Sequence, residues 1–156
     1  MLQRVQTLYL LGATALMAIF FLNPMAIFSN SDGIFTLSAV GVKDSEGTLV
    51  YSAIYSIIML SLATLLPFVN LFLFKRRMLQ VRLCVVQMVL TLGALIVSGV
   101  YFYLGNRFFG ADTSDISISS IRIVCILPLF AIFLDYMALK AILRDELLIK
   151  SIDRIR

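Results

Sequence analysis

Four apolar runs alternate with short polar stretches along the chain: Thr7 to Ile27, Tyr51 to Phe74, Leu83 to Tyr103 and Ile121 to Ile142. Each holds about 20 residues or more, the length at which a helix rising 1.5 Å per residue covers roughly 30 Å of hydrocarbon. The pattern predicts an all-α membrane protein, a four-helix antiparallel transmembrane bundle forming one domain over residues 1–156. The first run is longer than the about 7 to 15 apolar residues of a signal peptide and no A-x-A-like site follows it, so it reads as a retained span. Pro24 lies where it can end the first helix. Pro67 is expected to kink the second span and Pro128 the fourth, about one-third of the way in. Ser119 or Ser120 is a fair N-cap for the fourth.

The polar stretches carry their own patterns. In the first, Ile34 to Val40 favours a strand, Lys43 to Gly47 is a turn cluster, and Thr48 to Tyr51 can pair back, which predicts a small outer β-hairpin. The stretch Lys75 to Arg82 reads as a tight turn between the second and third spans. The charged tail from Leu143 to Arg156 keeps helical spacing: Ile142, Leu148, Ile149, Ile152 and Ile155 share one arc, and Glu146 and Lys150 form an i, i+4 pair. The fourth helix is therefore expected to extend into the cytoplasm as one long helix, or to bend and lie on the inner interface.

Composition agrees with this class and charge adds a direction. The chain is 61% hydrophobic and only 14% charged, below the roughly 25% charged residues of soluble domains. Its net charge is +4, and the placement matters more than the sum. Arg4, Lys75, Arg76, Arg77, Arg82, Lys140, Arg144, Lys150, Arg154 and Arg156 fall at one set of span ends, while Lys43, Arg107 and Arg122 fall at the other. The positive-inside rule then puts the N-terminus, the C-terminus and the middle turn in the cytoplasm. The basic clusters flank membrane spans, so the bilayer and its anionic headgroups at the cytoplasmic face are the expected partners rather than nucleic acid.

Candidate chemistry is sparse. Asp135 is the one acid well inside a span, about seven residues or roughly 10 Å from its inner end. Asn70 and Gln87 lie at comparable depth, and the three are expected to form a polar layer in the inner leaflet. An intramembrane acid costs several kcal/mol unless it faces a partner, which makes it a site hypothesis. The structural alternative is an ion pair with Arg4, Arg82 or Lys140 reaching along the interface. The chain has no histidine, which removes imidazole metal ligands and histidine general bases. No phosphate-cradling glycine loop is present. These features predict a protein that is not an enzyme, with no cofactor and no metal site. Cys84 and Cys125 sit at opposite ends of their spans, roughly 20 Å apart in depth, too far for a disulfide. Cys84 is the better of the two for palmitoylation because of its juxtamembrane depth.

Three segments carry a family resemblance. The head reads Met1-Leu2-Gln3-Arg4-Val5-Gln6-Thr7-Leu8-Tyr9, the inner turn Leu79-Gln80-Val81-Arg82-Leu83-Cys84, and the tail has Arg144-Asp145-Glu146, then Ser151, then Asp153-Arg154-Ile155-Arg156. The chain resembles a family of small bacterial four-span membrane proteins whose domain is of unknown function. The family pattern departs at Leu143, where a second basic residue is expected. The resemblance implies four spans and the bacterial inner (plasma) membrane, and it implies no activity. The recognisable residues lie on the cytoplasmic side, in excess of what insertion needs. The expected function is therefore a non-enzymatic accessory or scaffold subunit that binds a protein partner, or itself, through its turn and tail. The face expected to do so comprises Gln3, Arg4, Gln80, Arg82, Arg144, Asp145, Glu146, Ser151, Asp153 and Arg154. The competing expectation is a small transporter or proton-coupled carrier built on Asp135, Asn70 and Gln87.

Overall fold

The computed structural model describes residues 3–30, 33–73, 77–109 and 120–153. Four helices dominate: α1 (Gln3–Leu22), α2 (Ile54–Phe72), α3 (Arg77–Phe109) and α4 (Leu127–Asp153). All four contain a stretch long and apolar enough to cross a membrane: Val5–Leu22, Ile54–Phe72, Met78–Phe108 and Ile123–Asp145, the last including a 3₁₀ turn at Ile123–Ile126 that leads into α4. Each helix packs on two others, in the ring α1, α2, α3, α4 and back to α1.

The buried positions explain how they pack. On α1 they are Gln6, Leu10, Ala13, Met17 and Phe20. On α2 they are Ser56, Leu60, Ala63, Pro67 and Asn70. On α3 the series starts Gln80, Cys84, Gln87, Thr91, Ala94, Ser98, and on α4 it runs Ala131, Asp135, Ala138, Ile142, Asp145. Every series steps alternately by four and three residues, a mean of about 3.5, which is the spacing of a knobs-into-holes seam. The seams are rich in small residues, which allow close backbone approach where lipid leaves no hydrophobic drive between helices. Seam hydroxyls satisfy themselves on the preceding turn: Thr91 Oγ1 donates to Gln87 O at 2.9 Å and Ser98 Oγ to Ala94 O at 2.8 Å.

One end of the helices carries a five-stranded antiparallel sheet instead of a lone hairpin. Its strands are β1 (Ala26–Asn30), β2 (Gly33–Ser38), β3 (Gly41–Lys43), β4 (Leu49–Ser52) and β5 (Ser120–Ile121), in the order β4-β3-β2-β1-β5. The expected pairing of residues 34–40 with 48–51 is replaced by a meander in which β3 lies between β2 and β4. The sheet has something to pack on. Phe28 stacks on Phe102 of α3 with ring centroids 5.6 Å apart, and the same ring lies where a Cβ on Gly105 would stand, 2.9 Å away. Phe28, Leu37, Ala39 and Val42 thereby join one core with Met17 and Phe20 of α1.

Several boundaries move. The first helix stops at Leu22, before Pro24, and Ala26 to Phe28 belong to β1. Arg77 to Arg82, expected as turn, forms the first turns of α3, since Arg, Met, Leu and Gln all favour helix. Pro128 is the second residue of α4, where its fixed φ suits a helix start, so it begins the helix rather than kinking it. Ser120 belongs to β5 and does not cap α4, while Ser119 lies outside the described residues. The fourth helix does extend through the charged tail, to Asp153.

Candidate functional site

Three polar joints are set between the middle of the spans and the end away from the sheet, and each ties two neighbours in the ring. The first is Asp135 of α4 with Gln87 of α3. Gln87 Nε2 donates to Asp135 Oδ1, and neither side chain is exposed. The second links α2 to α3. Asn70 lies in the last turn of α2, where carbonyls lack intrahelical donors. The Asn70 carbonyl accepts from Leu73 N at 3.2 Å and also from Gln80 Nε2 at 3.3 Å, and Asn70 Nδ2 returns the contact to Gln80 O at 3.4 Å and Cys84 Sγ at 3.2 Å. The third joins the chain's two ends: Gln6 Nε2 of α1 donates to Asp145 Oδ2 of α4.

Of the three residues expected in one polar layer, two are in contact. Asp135 and Gln87 meet, while Asn70 pairs with Gln80 and Cys84 instead. No ion pair from Arg82 or Lys140 reaches Asp135 among the described residues; its hydrogen-bond partner is a neutral amide. Two members of the expected interaction face are not on a face. Gln80 is 2% exposed and Asp145 7%, both turned into the ring of helices. The reason is their place on the seams, where an outward side chain would leave a gap. Arg82 and Arg144 are exposed. The side chains of Gln3, Arg4, Glu146, Ser151 and Asp153, and the whole of Arg154, lie outside the described residues. Cys84 is fully buried against Asn70, so it is not positioned for palmitoylation. Cys125 is half-buried, with its thiol donating to Met25 O at 3.3 Å.

The residue that sequence reasoning missed is Gln6. It stands 139 positions from its partner, and the available signal was its place at the head of the stripe Leu10, Ala13, Met17, Phe20. Four buried acceptors have no donor among the described residues: Asn70 Oδ1, Gln87 Oε1, Asp135 Oδ2 and Asp145 Oδ1. Chemically the joints comprise two carboxyl groups, neutral amides and one thiol. Among the described residues, cavities of about 380, 140 and 290 Å³ are lined by side chains other than Asp135, Asn70 and Gln87.

Comparison with curated proteins and with solved structures gave no match. The match came from a family whose sequence model covers residues 2–155, nearly the whole chain, all four apolar helices and the polar joints between them included. The chain belongs to the family described as a domain of unknown function, DUF4293.

Proposed function

We propose that this protein is a non-enzymatic accessory or scaffold subunit of the bacterial inner membrane, an antiparallel four-helix bundle with both termini in the cytoplasm. The observation that carries the reading is the use made of the buried polar groups. Three of the four contacts in the helix ring are closed by side-chain joints, and the more deeply placed acid, Asp135, is fully buried on its Gln87 partner. Hydrogen bonds between membrane helices contribute only about 0.6 kcal/mol on average. Such groups serve better to fix which helix faces which than to add stability. A rigid frame with an exposed basic end, Arg82, Lys140 and Arg144 included, suits a subunit that holds something else. Crosslinking in cells followed by purification in mild detergent tests this. A stoichiometric protein partner, lost when the chain is cut back before Arg144, is expected; recovery of the protein alone after crosslinking counts against the role.

A second reading, proton-coupled transport through Asp135, is favoured by one feature. Asp135 Oδ2 and Gln87 Oε1 are buried acceptors without a described donor, and a proton taken up by the carboxyl supplies one.

The orientation has its own test. Single cysteines at Glu46, exposed beside the sheet, and at Arg82, exposed on α3, are to be probed with an impermeant maleimide on intact cells. Labelling at Glu46 and protection at Arg82 are expected, and the reverse pattern inverts the topology.

A further inference from the structure

The groove between α1 and α4 is amphipathic along its length. Val5 and Tyr9 line it from α1; Met137, Lys140, Ala141 and Arg144 line it from α4, and it encloses about 290 Å³. That approaches the roughly 300 Å³ at which small-ligand pockets begin. The spacing explains the composition. Positions 137, 140, 141 and 144 form one face of a helix, and 5 and 9 form another. The groove therefore has an apolar floor of Val5, Met137 and Ala141, and a rim of one phenol and two cations.

The cations are available. Lys140 and Arg144 are exposed and form no ion pair with a described residue. Asp145, next to Arg144 in sequence, is turned inward to Gln6. Both cations lie in the last part of Ile123–Asp145, the stretch of α4 able to cross the membrane, which sets them at the level where apolar spans give way to water.

We propose that this groove is a specific site for an anionic phospholipid, its phosphate held by Lys140 and Arg144 and the start of an acyl chain lying over Val5, Met137 and Ala141. Arginine presents a fork of donors that fits two phosphate oxygens, and lysine adds a point charge. Basic pockets between membrane helices take such headgroups. Charge complementarity selects the phosphate and the apolar floor selects a lipid over a free anion. The site rests on the helices being embedded in a bilayer; it needs neither the accessory role nor a particular leaflet.

Binding is to be measured on the full chain in neutral detergent by native mass spectrometry and thermal shift, with phosphatidylglycerol, phosphatidylcholine and inorganic phosphate as separate probes. Retention of phosphatidylglycerol over phosphatidylcholine is expected. Lys140→Gln and Arg144→Gln should each weaken it about fivefold, and the double variant about 30-fold, as two basic side chains at a membrane surface imply. Val5→Trp fills the floor without changing charge and should also weaken it, while Arg82→Gln, which lies off the groove, should change it less than about twofold. If Arg82→Gln weakens binding as much as Lys140→Gln does, only diffuse charge attraction operates and the site is disproved. If inorganic phosphate competes as well as the lipid does, the groove takes a soluble anion and the lipid assignment is overturned. A failed partner capture leaves these outcomes unaffected, so the two proposals fail separately.

Discussion

Gly41→Ala should cost the folded protein about 3 kcal/mol or more, among the largest losses from any single methyl addition. Gly41 has φ +143°, and a Cβ built there would lie 2.1 Å from Tyr51 O and 3.1 Å from Ala53 N and Ser52 Cα. Those are backbone atoms that cannot rotate away. They are held in place by β3–β4 pairing and by Ala53 N donating to Val40 O at 3.0 Å, where the chain turns from the sheet into α2. Gly47 supplies the control. It also has positive φ, +79°, but nothing lies within 4 Å of its Cβ position. Gly47→Ala should therefore cost only the left-handed backbone penalty, about 1 to 2 kcal/mol. Thermal unfolding in detergent, with protease sensitivity of residues 33–52, reads both. Equal stability of the two variants would show that the close pass at Gly41 does not exist.

The second large effect concerns Asp135 and Gln87. Gln87→Leu removes the one described donor to a fully buried carboxyl, and should destabilise by about 2 kcal/mol. Asp135→Leu strands the Gln87 amide in the same way, at about 1 to 2 kcal/mol. The double variant should lose less than the sum, because replacing both partners with apolar groups leaves nothing unpaired. Asp135→Asn keeps an acceptor for Gln87 Nε2 and adds an N–H₂ where Gln87 Oε1 lacks a donor, so it should fold at least as well as the parent. Additive losses in the double variant would rule out a shared joint. The same Asp135→Asn variant separates the two functional readings at matched protein level. Full complementation removes proton-coupled transport through Asp135, and loss of function with normal folding removes the purely structural role.

Span number and location were legible from hydropathy, because about 20 unbroken apolar residues have few other homes. What hydropathy hides is where an apolar residue stops being helix. Ala26, Ile27 and Phe28 are as apolar as the span before them, yet they form β1; Pro24 was the one local sign of the break. Three-residue β3 has no periodicity to read, which is why the sheet was expected as a hairpin. Lys and Arg mark where a span leaves the membrane, not where a helix ends, so Arg77 to Arg82 looked like a turn and is helix. At the polar joints, depth counting put Asp135 and Gln87, which a hydrogen bond joins, at one level. It could not choose among partners of equal depth, and so gave Asn70 to Asp135 rather than to Gln80, ten positions along the chain. The alternating four-and-three stripe would have placed Gln6, Gln80 and Asp145 inside, where polarity alone had put two of them outside.

The length of α3 sets it apart from its neighbours. The apolar stretch Met78–Phe108 has 31 residues against 18, 19 and 23 in the others, about 46 Å against roughly 27 to 35 Å. Toward the sheet end of this stretch, Phe28 covers Phe102 and Gly105. The sheet thus covers one side of α3 there, while Tyr103 and Phe108 stay exposed, and in a bilayer such partial cover would bear on hydrophobic mismatch. A thicker bilayer offers those same turns an alternative cover. With α3 embedded in a bilayer, sheet docking and membrane thickness would become linked quantities, and lipid chain length a setting on how firmly the β-structure is seated.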